Sequence, residues 1–374
     1  MDHFTETSTT SLGENLLKSL KGIIFGFALL AGSIYLLSFN EHRSINQALA
    51  LEEMQENIVI VDTPTYKAEY ENVPILIYGE VEPLNALEDT LFSVKSDALI
   101  LKREVQMYQW VEHINSEDEK QIGGSTETVT TYDYEKVWSS YTNDSSSFRY
   151  PDNHENPEMK YKGETFTTDA SLGDFHLSKN VISYFSNSTT YNGLSSLPET
   201  VLDLTNYKSF LYKGSNPEFP EVGDLKITYS QTQKGLYTLV GMTEGKEFGH
   251  YHSTNDRSLL FTRAGRVSAD IIFEEEFRAN TVLTWVFRGV GLLLMFIGFM
   301  LIMNLIVAIS NIIPIFGSLV EGVTMFIAGG LTLVLGSIVI GIAWFASRPM
   351  LSLSILGVGV GLAVLVFFFK KKDR

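Results

Sequence analysis

Three stretches toward the C-terminal end, Gly289–Val320, Gly322–Ser347 and Pro349–Phe369, contain no Asp, Glu, Lys or Arg. A helix rises ~1.5 Å per residue, so about 20 residues cross a hydrocarbon core of ~30 Å, and each stretch is long enough to span. Single polar marks separate them: Glu321, then Arg348-Pro349. Near the other end, Lys18 and Lys21 precede one more uncharged run, Gly22–Phe39. Basic residues before an apolar run also mark a cleaved signal peptide. This run, however, is long and closes on Tyr35-Leu36-Leu37-Ser38-Phe39 rather than on a small-x-small site. The pattern predicts an uncleaved first transmembrane helix.

Between these runs the periodicity changes. Residues 40–57 keep helical spacing, with Ile45, Ala48, Leu49 and Leu51 near one face and Glu52, Glu53 and Glu56 on the other. From Ile58 onward short β-rich runs follow, Ile58–Val61, Ile75–Val81 and Leu91–Val94, set apart by Pro64, Pro74 and Pro83. The longer Ala98–Ile114 alternates, with Val105, Met107 and Val111 opposite Glu104, Gln106, Tyr108 and Glu112. A turn-like Ser116–Ser125 and a second alternating run, Thr126–Trp138, complete an antiparallel hairpin. Asn143–Pro157 reads as a polar loop, and Leu225–Ser230, Gly235–Met242 and Leu259–Phe261 as later strands. No fixed-period repeat is present.

The expected architecture is a multi-pass α-helical membrane protein. Four transmembrane helices, one plus three, flank a large extracytoplasmic β-rich α+β domain lying between the first and second. The expected layout is a disordered cytoplasmic tail at 1–17, helices at 18–39, 281–308, 322–346 and 349–369, the domain at 40–280, a cytoplasmic-side turn at 309–321, and a basic tail at 370–374. Lys18, Lys21, Lys370–Lys372 and Arg374 place both termini in the cytoplasm by the positive-inside rule. The net charge of −16 is unevenly distributed: residues 40–281 hold 20 basic and 39 acidic residues, a net of −19. So acidic a water-facing domain argues against nucleic acid and against docking on anionic headgroups. The chain has no cysteine, which excludes disulfides, thiol catalysis and Cys-based zinc sites.

Few residues stand out chemically. Arg288 sits inside an apolar flow, roughly two turns from the polar Glu274–Asn280; the expectation is that it snorkels to the headgroups, the sharper alternative being a functional charge. Trp344, Arg348 and Pro349 are further membrane-interface candidates. Gly22, Gly26, Gly357 and Gly361 have helix-packing spacing, and serve either to pack the bundle or to self-associate. His250 and His252 share a strand face but lack a third ligand at motif spacing, so no metal and no cofactor is expected. No nucleophile elbow, phosphate loop, His-Glu-x-x-His or paired-carboxylate signature appears, so no catalytic residue is named and the chain is expected not to be an enzyme. Asn143-Asp144-Ser145 and Asn187-Ser188-Thr189 match the glycosylation sequon, which matters only in a eukaryotic host.

Several strings carry a resemblance: Asn40-Glu41-His42-Arg43 after the first helix, Gln106-Met107-Tyr108-Gln109-Trp110-Val111-Glu112 on the long strand, Gly223-Asp224 before a later one, and Ala343-Trp344-Phe345 closing into Arg348-Pro349. With the one-plus-three order, the chain resembles the transmembrane protein 43 (LUMA) family over nearly its whole length, and is read as a bacterial member. Tyr108, Trp110 and Glu112 are the candidate family-motif surface. The resemblance implies residence in the endoplasmic reticulum and inner nuclear membrane for eukaryotic members, self-association and binding to other membrane proteins, with emerin- and lamin-type partners only in a eukaryote. A bacterial host would place the domain in the periplasm. The expected function is a non-enzymatic integral membrane scaffold that self-associates and contacts membrane lipids and other membrane proteins. The alternative is a lipid-binding or lipid-metabolism accessory protein. A transporter would need polar residues along a pathway, and the spans offer only Asn304, Asn311 and a few Ser and Thr.

Overall fold

A computed structural model of the chain describes residues 2–312, 314–345, 357, 358 and 361. Its helices are α1 (Leu12–Asn57), the short α2 (Lys179–Ile182), α3 (Ala269–Ser310) and α4 (Pro314–Phe345). Among the described residues, α1, α3 and α4 are the helices long and apolar enough to cross a membrane. The expected fourth helix at 349–369, with Arg348 and Pro349, lies outside the described residues. The longest strands among the described residues are β1 (Asp2–Thr10), β2 (Pro74–Pro83), β3 (Ile100–Lys120), β4 (Thr126–Ser139), β5 (Leu225–Thr232) and β6 (Gly235–Glu244).

Two compact units share the chain. One, here the β unit, comprises Met1–Phe4, Ala50–Ile114 and Tyr132–Glu275; the other, the helical unit, comprises Thr5–Leu49, Asn115–Thr131 and the chain from Glu276 on. In the β unit, β2 pairs with both Ala170–Leu172 and β6, and Phe175–Leu177 and Glu247–Gly249 complete the circuit, so five strands close on themselves. Alternation aims Ile75, Ile77, Val81, Leu172, Tyr237 and Leu239 into one core. The turn between Ala170–Leu172 and Phe175–Leu177 requires Gly173: its φ is +57°, and a Cβ there would stand 2.1 Å from the Pro64 carbonyl oxygen.

The second sheet has nine strands. Its path runs β1, β4, β3, β5, then Leu211–Lys213, Leu204–Asn206 and Thr200–Val201. β5 pairs antiparallel with β3 from Leu225 opposite Met107 to Thr232 opposite Ile100. Leu101, Val105 and Met107 therefore face inward with Leu225, Ile227 and Tyr229, as the alternation predicts. Arg103 shares that buried face and is held by Asp89 (2.5 Å) and Glu164 (2.9 Å), with Tyr229 donating to the same Asp89 at 2.6 Å. A buried charge is tolerated only when paired in this way. At the far rim, Lys160 and then Tyr161 bond the Asp203 carboxylate and hold it well below the usual carboxylate range. A depressed folded pKa adds stability above the unfolded value of about 4 and loses it as pH falls below that. Between pH 5 and pH 3 the melting temperature of the wild type is therefore expected to fall more steeply than that of Asp203→Asn, and parallel curves would remove the carboxylate from the acid response.

The structure differs from the sequence reading at four places. Residues 2–10, expected as disordered tail, form β1; their Thr-rich composition suits a strand, but with no apolar alternation the strand is invisible until its neighbour β4 is known. The helix over 40–57 is continuous with the preceding apolar run, since nothing between Ser38 and Asn57 breaks it. The expected strand Leu91–Val94 is instead a turn leading into Val94–Ser96. The turn at 309–321 shrinks to a few residues because α4 already begins at Pro314, whose missing N–H is harmless at a helix start.

The helical unit is built on one seam. α1 buries Ser19, Ser33, Leu37, Asn40, Glu41 and Ser44, while Leu20, Ile24, Phe25, Phe27, Ile34, Tyr35 and Phe39 stay exposed. A helix apolar outside its packed seam belongs in hydrocarbon. At one end of the unit the β3–β4 hairpin tip meets the helices. Asn15 Nδ2 donates to the Gly124 carbonyl and to Thr126 Oγ1, both at 3.0 Å, the Gly123 N–H donates to the Ile312 carbonyl at 3.2 Å, and Lys120 Nζ lies 2.6 Å from Glu321. The expected layout put residue 120 outside the membrane and residue 321 on the cytoplasmic side; here they touch.

Candidate functional site: a buried polar joint between helices

Asn280, Thr284 and Arg288 recur every fourth residue and so share one face of α3. Opposite them α1 presents Asn40, Glu41, Arg43 and Ser44. The amides bridge the helices in both directions: Asn40 Nδ2 donates to the Thr284 carbonyl at 3.1 Å, and Asn280 Nδ2 to the Ser44 carbonyl at 2.9 Å. Thr284 Oγ1 and Ser44 Oγ are 2.8 Å apart. Arg43 reaches Asn280 Oδ1 at 3.0 Å and Asn40 Oδ1 at 3.2 Å.

The centre of the joint is an ion pair. Glu41 has 0% side-chain exposure and Arg288 has 13%. Arg288 Nε and Nη2 reach the two Glu41 oxygens at 2.7 Å each, a bidentate fork. Trp344 of α4 donates its indole N–H to the same carboxylate, and the guanidinium lies 4.9 Å from the Trp285 ring centroid. Three helices thus converge on one carboxylate. Arg288, expected to snorkel to the headgroups, is paired with Glu41 inside the bundle. Trp344, expected at the membrane interface, serves the same joint.

The glycines divide. An added Cβ at Gly26 would stand 2.7 Å from the Gly298 carbonyl oxygen, so α1 and α3 approach backbone to backbone there. Gly22 is looser, its nearest neighbour being Leu301 at 3.8 Å. Both face α3 of the same chain, which favours bundle packing over self-association at these two positions. Gly357 and Gly361 have no neighbour among the described residues within 4 Å of an added Cβ.

The Tyr108–Glu112 string pins a loop. Backbone bonds at 2.9 Å tie Tyr108 to Gly223-Asp224, and its ring lies 5.3 Å from Trp138. Trp110 exchanges bonds with the Asn156 amide at 2.7 and 2.9 Å, under the Lys136 ammonium at 4.6 Å. Glu112 accepts from Tyr134 and from the Arg149 N–H at 2.6 Å. Burial, and then that bond to Glu112, pushes the Tyr134 phenol up to about 12. His250 and His252 stand apart from any carboxylate cluster; among the described residues no three His, Asp or Glu side chains converge on a metal position.

In the sequence, Asn40-Glu41-His42-Arg43 stands out only as a family string. The signal for a site was present: polar residues closing one apolar run, and an Asn-x3-Thr-x3-Arg ladder opening another.

The family model described as transmembrane protein 43 matches residues 107–349. The human protein named transmembrane protein 43 is 28% identical over 365 residues, covering 93% of this chain and 90% of its own length. The Pongo abelii protein of that name is 29% identical over 369 residues with the same coverage. A Drosophila melanogaster homologue is 26% identical over 359 residues, covering 93% of this chain and 95% of its own length. No solved structure matches the chain with significance. The family match and the full-length relatives agree: the chain belongs to the transmembrane protein 43 family.

Proposed function

We propose that the chain is a non-enzymatic integral membrane scaffold: α1, α3, α4 and residues 349–369 cross the bilayer, both termini lie in the cytoplasm, and the β unit, apart from its residues 1–4, stands on the opposite side, where it engages other membrane proteins. The observation that supports the reading is the joint itself. Both oxygens of Glu41 are taken by Arg288 and Trp344, so the charge inside the bundle holds helices to one another rather than lining a path or facing a substrate. Purification from native membranes, with proteins and lipids identified in the same eluate, tests it. A stoichiometric protein partner, or further copies of the chain, is expected. One enriched lipid class without a protein partner would replace this reading with lipid handling.

The hairpin tip must then open in a membrane. Residues 115–120 of β3, the part that belongs to the helical unit, carry Glu117, Asp118, Glu119 and Lys120. At about 2.5–3.5 kcal/mol per charge at the hydrocarbon centre, Asp and Lys being the measured cases, holding such a strand along the bundle costs on the order of 10 kcal/mol. The exposed Lys120–Glu321 pair returns about 0–1 kcal/mol and each tip hydrogen bond about 1 kcal/mol. The cost wins. In a chain free of other cysteines, Lys120→Cys with Glu321→Cys is expected to give no disulfide in intact membranes. Efficient bridging would show that both residues share one side and would overturn this topology.

A further inference from the structure

The first residues of the chain occupy a built site in the β unit. Asp2 and Phe4, two apart on an extended strand, point to the same side. The Phe4 ring stacks on Tyr150 with centroids 4.4 Å apart, and meets Tyr134 at 5.9 Å and His154 at 6.2 Å. Asp2 Oδ2 lies 3.1 Å from His154 Nε2, while His154 Nδ1 lies 2.8 Å from the Tyr150 carbonyl. The His154 side chain is only 2% exposed, itself stacked on Tyr134 at 4.0 Å and edge-on to Trp110 at 4.8 Å. On the other side of the strand His3 reaches Asp133 at 2.7 Å. The site therefore holds three things at once: a strand paired along β4, an aromatic ring, and a carboxylate two residues before it.

This occupant cannot stay if α1 crosses a bilayer, because residues 2–10 would then lie on the far side from Tyr134, Tyr150 and His154. Their departure would leave β4 as an unpaired sheet edge, with a buried imidazole nitrogen and an aromatic cradle aimed at the vacated strand position. We propose that this edge is a strand-docking site for a partner protein's extended segment of the pattern carboxylate–x–aromatic, with Asp2–Phe4 as its internal occupant away from the bilayer. A second copy's N-terminus does not qualify, since it lies across the membrane as well. The proposal rests on the topology given under Proposed function, and its test separates the two.

Full-length protein in lipid nanodiscs is titrated with a labelled peptide of residues 2–10, and with versions in which its Phe4 is replaced by Ala or its Asp2 by Asn. In parallel, His3→Cys with Asp133→Cys reports whether the chain's own N-terminus remains on β4 in membranes. The expected result is no disulfide and saturable binding, weakened at least tenfold by the Phe4→Ala peptide and measurably by the Asp2→Asn peptide. No disulfide together with no binding, or with binding indifferent to both peptide changes, would overturn the docking site and leave the topology standing. A disulfide formed in membranes would overturn the topology and the exchange together. The probes vary the peptide rather than the buried cradle, so a folding defect cannot mimic the outcome.

Discussion

Replacing Glu41 with Ala is expected to destabilise the helical unit by about 3–5 kcal/mol, the largest effect of any single substitution in the bundle. The reason is the charge left behind. Arg288 would keep its charge, 13% exposed and beside Trp285, with both carboxylate oxygens gone, and Trp344 would lose its acceptor. A buried ion pair contributes little net stability against a well-packed apolar pair, because desolvation offsets its attraction, yet breaking it from one side leaves an uncompensated charge. Two consequences distinguish this account from simple loss of packing. Arg288→Met alone should be about as damaging as Glu41→Ala, and Glu41→Leu combined with Arg288→Met should recover most of the loss. Thermal unfolding of the purified proteins in one detergent measures all three. A Glu41→Ala variant within about 1 kcal/mol of wild type would show that the joint does not hold the helices.

Gly26→Ala is the second large effect. Its new methyl would stand 2.7 Å from the Gly298 carbonyl oxygen and 2.8 Å from Ile302 Cγ1, and a main-chain oxygen cannot rotate away. α1 and α3 must part locally, at an expected cost of about 1–3 kcal/mol. Gly22→Ala, whose methyl would meet Leu301 only at 3.8 Å, should be close to neutral. A reporter pair built at Ser19→Cys and Asn304→Cys, where the native side chains lie 3.3 Å apart, reads the separation through its rate of disulfide formation. The rate should drop with Gly26→Ala and hold with Gly22→Ala; equal behaviour of the two would mean the close approach does not set the helix spacing.

Much of the fold is visible in the sequence where one physical rule dominates locally. Charge-free runs announce α1, α3 and α4, and the period-two pattern around Val105 and Met107 gives the inward face of β3 correctly. The larger misses are non-local. β1 carries only a Thr-rich pattern, and its strand character depends on β4, more than a hundred residues later. The closure of β2 against β6 joins segments with no shared local signal. Arg288 looked solitary because its partner lies just beyond the end of a different apolar run, and helical periodicity says nothing about which helices meet. The Tyr108–Glu112 string was recognisable as a motif, but its work of holding the 143–157 loop needs Asn156 and Arg149 in view.

The Glu41–Arg288 pair also sets a clock. The partners are 247 residues apart. At about 5–20 residues per second, Glu41 leaves the ribosome on the order of 10–50 s before Arg288 exists. During that interval a carboxylate destined for complete burial has no counter-charge, so the C-terminal part of α1 must wait at the membrane surface, in water or in the care of the insertion machinery. The bundle can close only after the whole β unit has been made, and a ribosome stalled between the two residues would strand an anchored chain with its acid unneutralised.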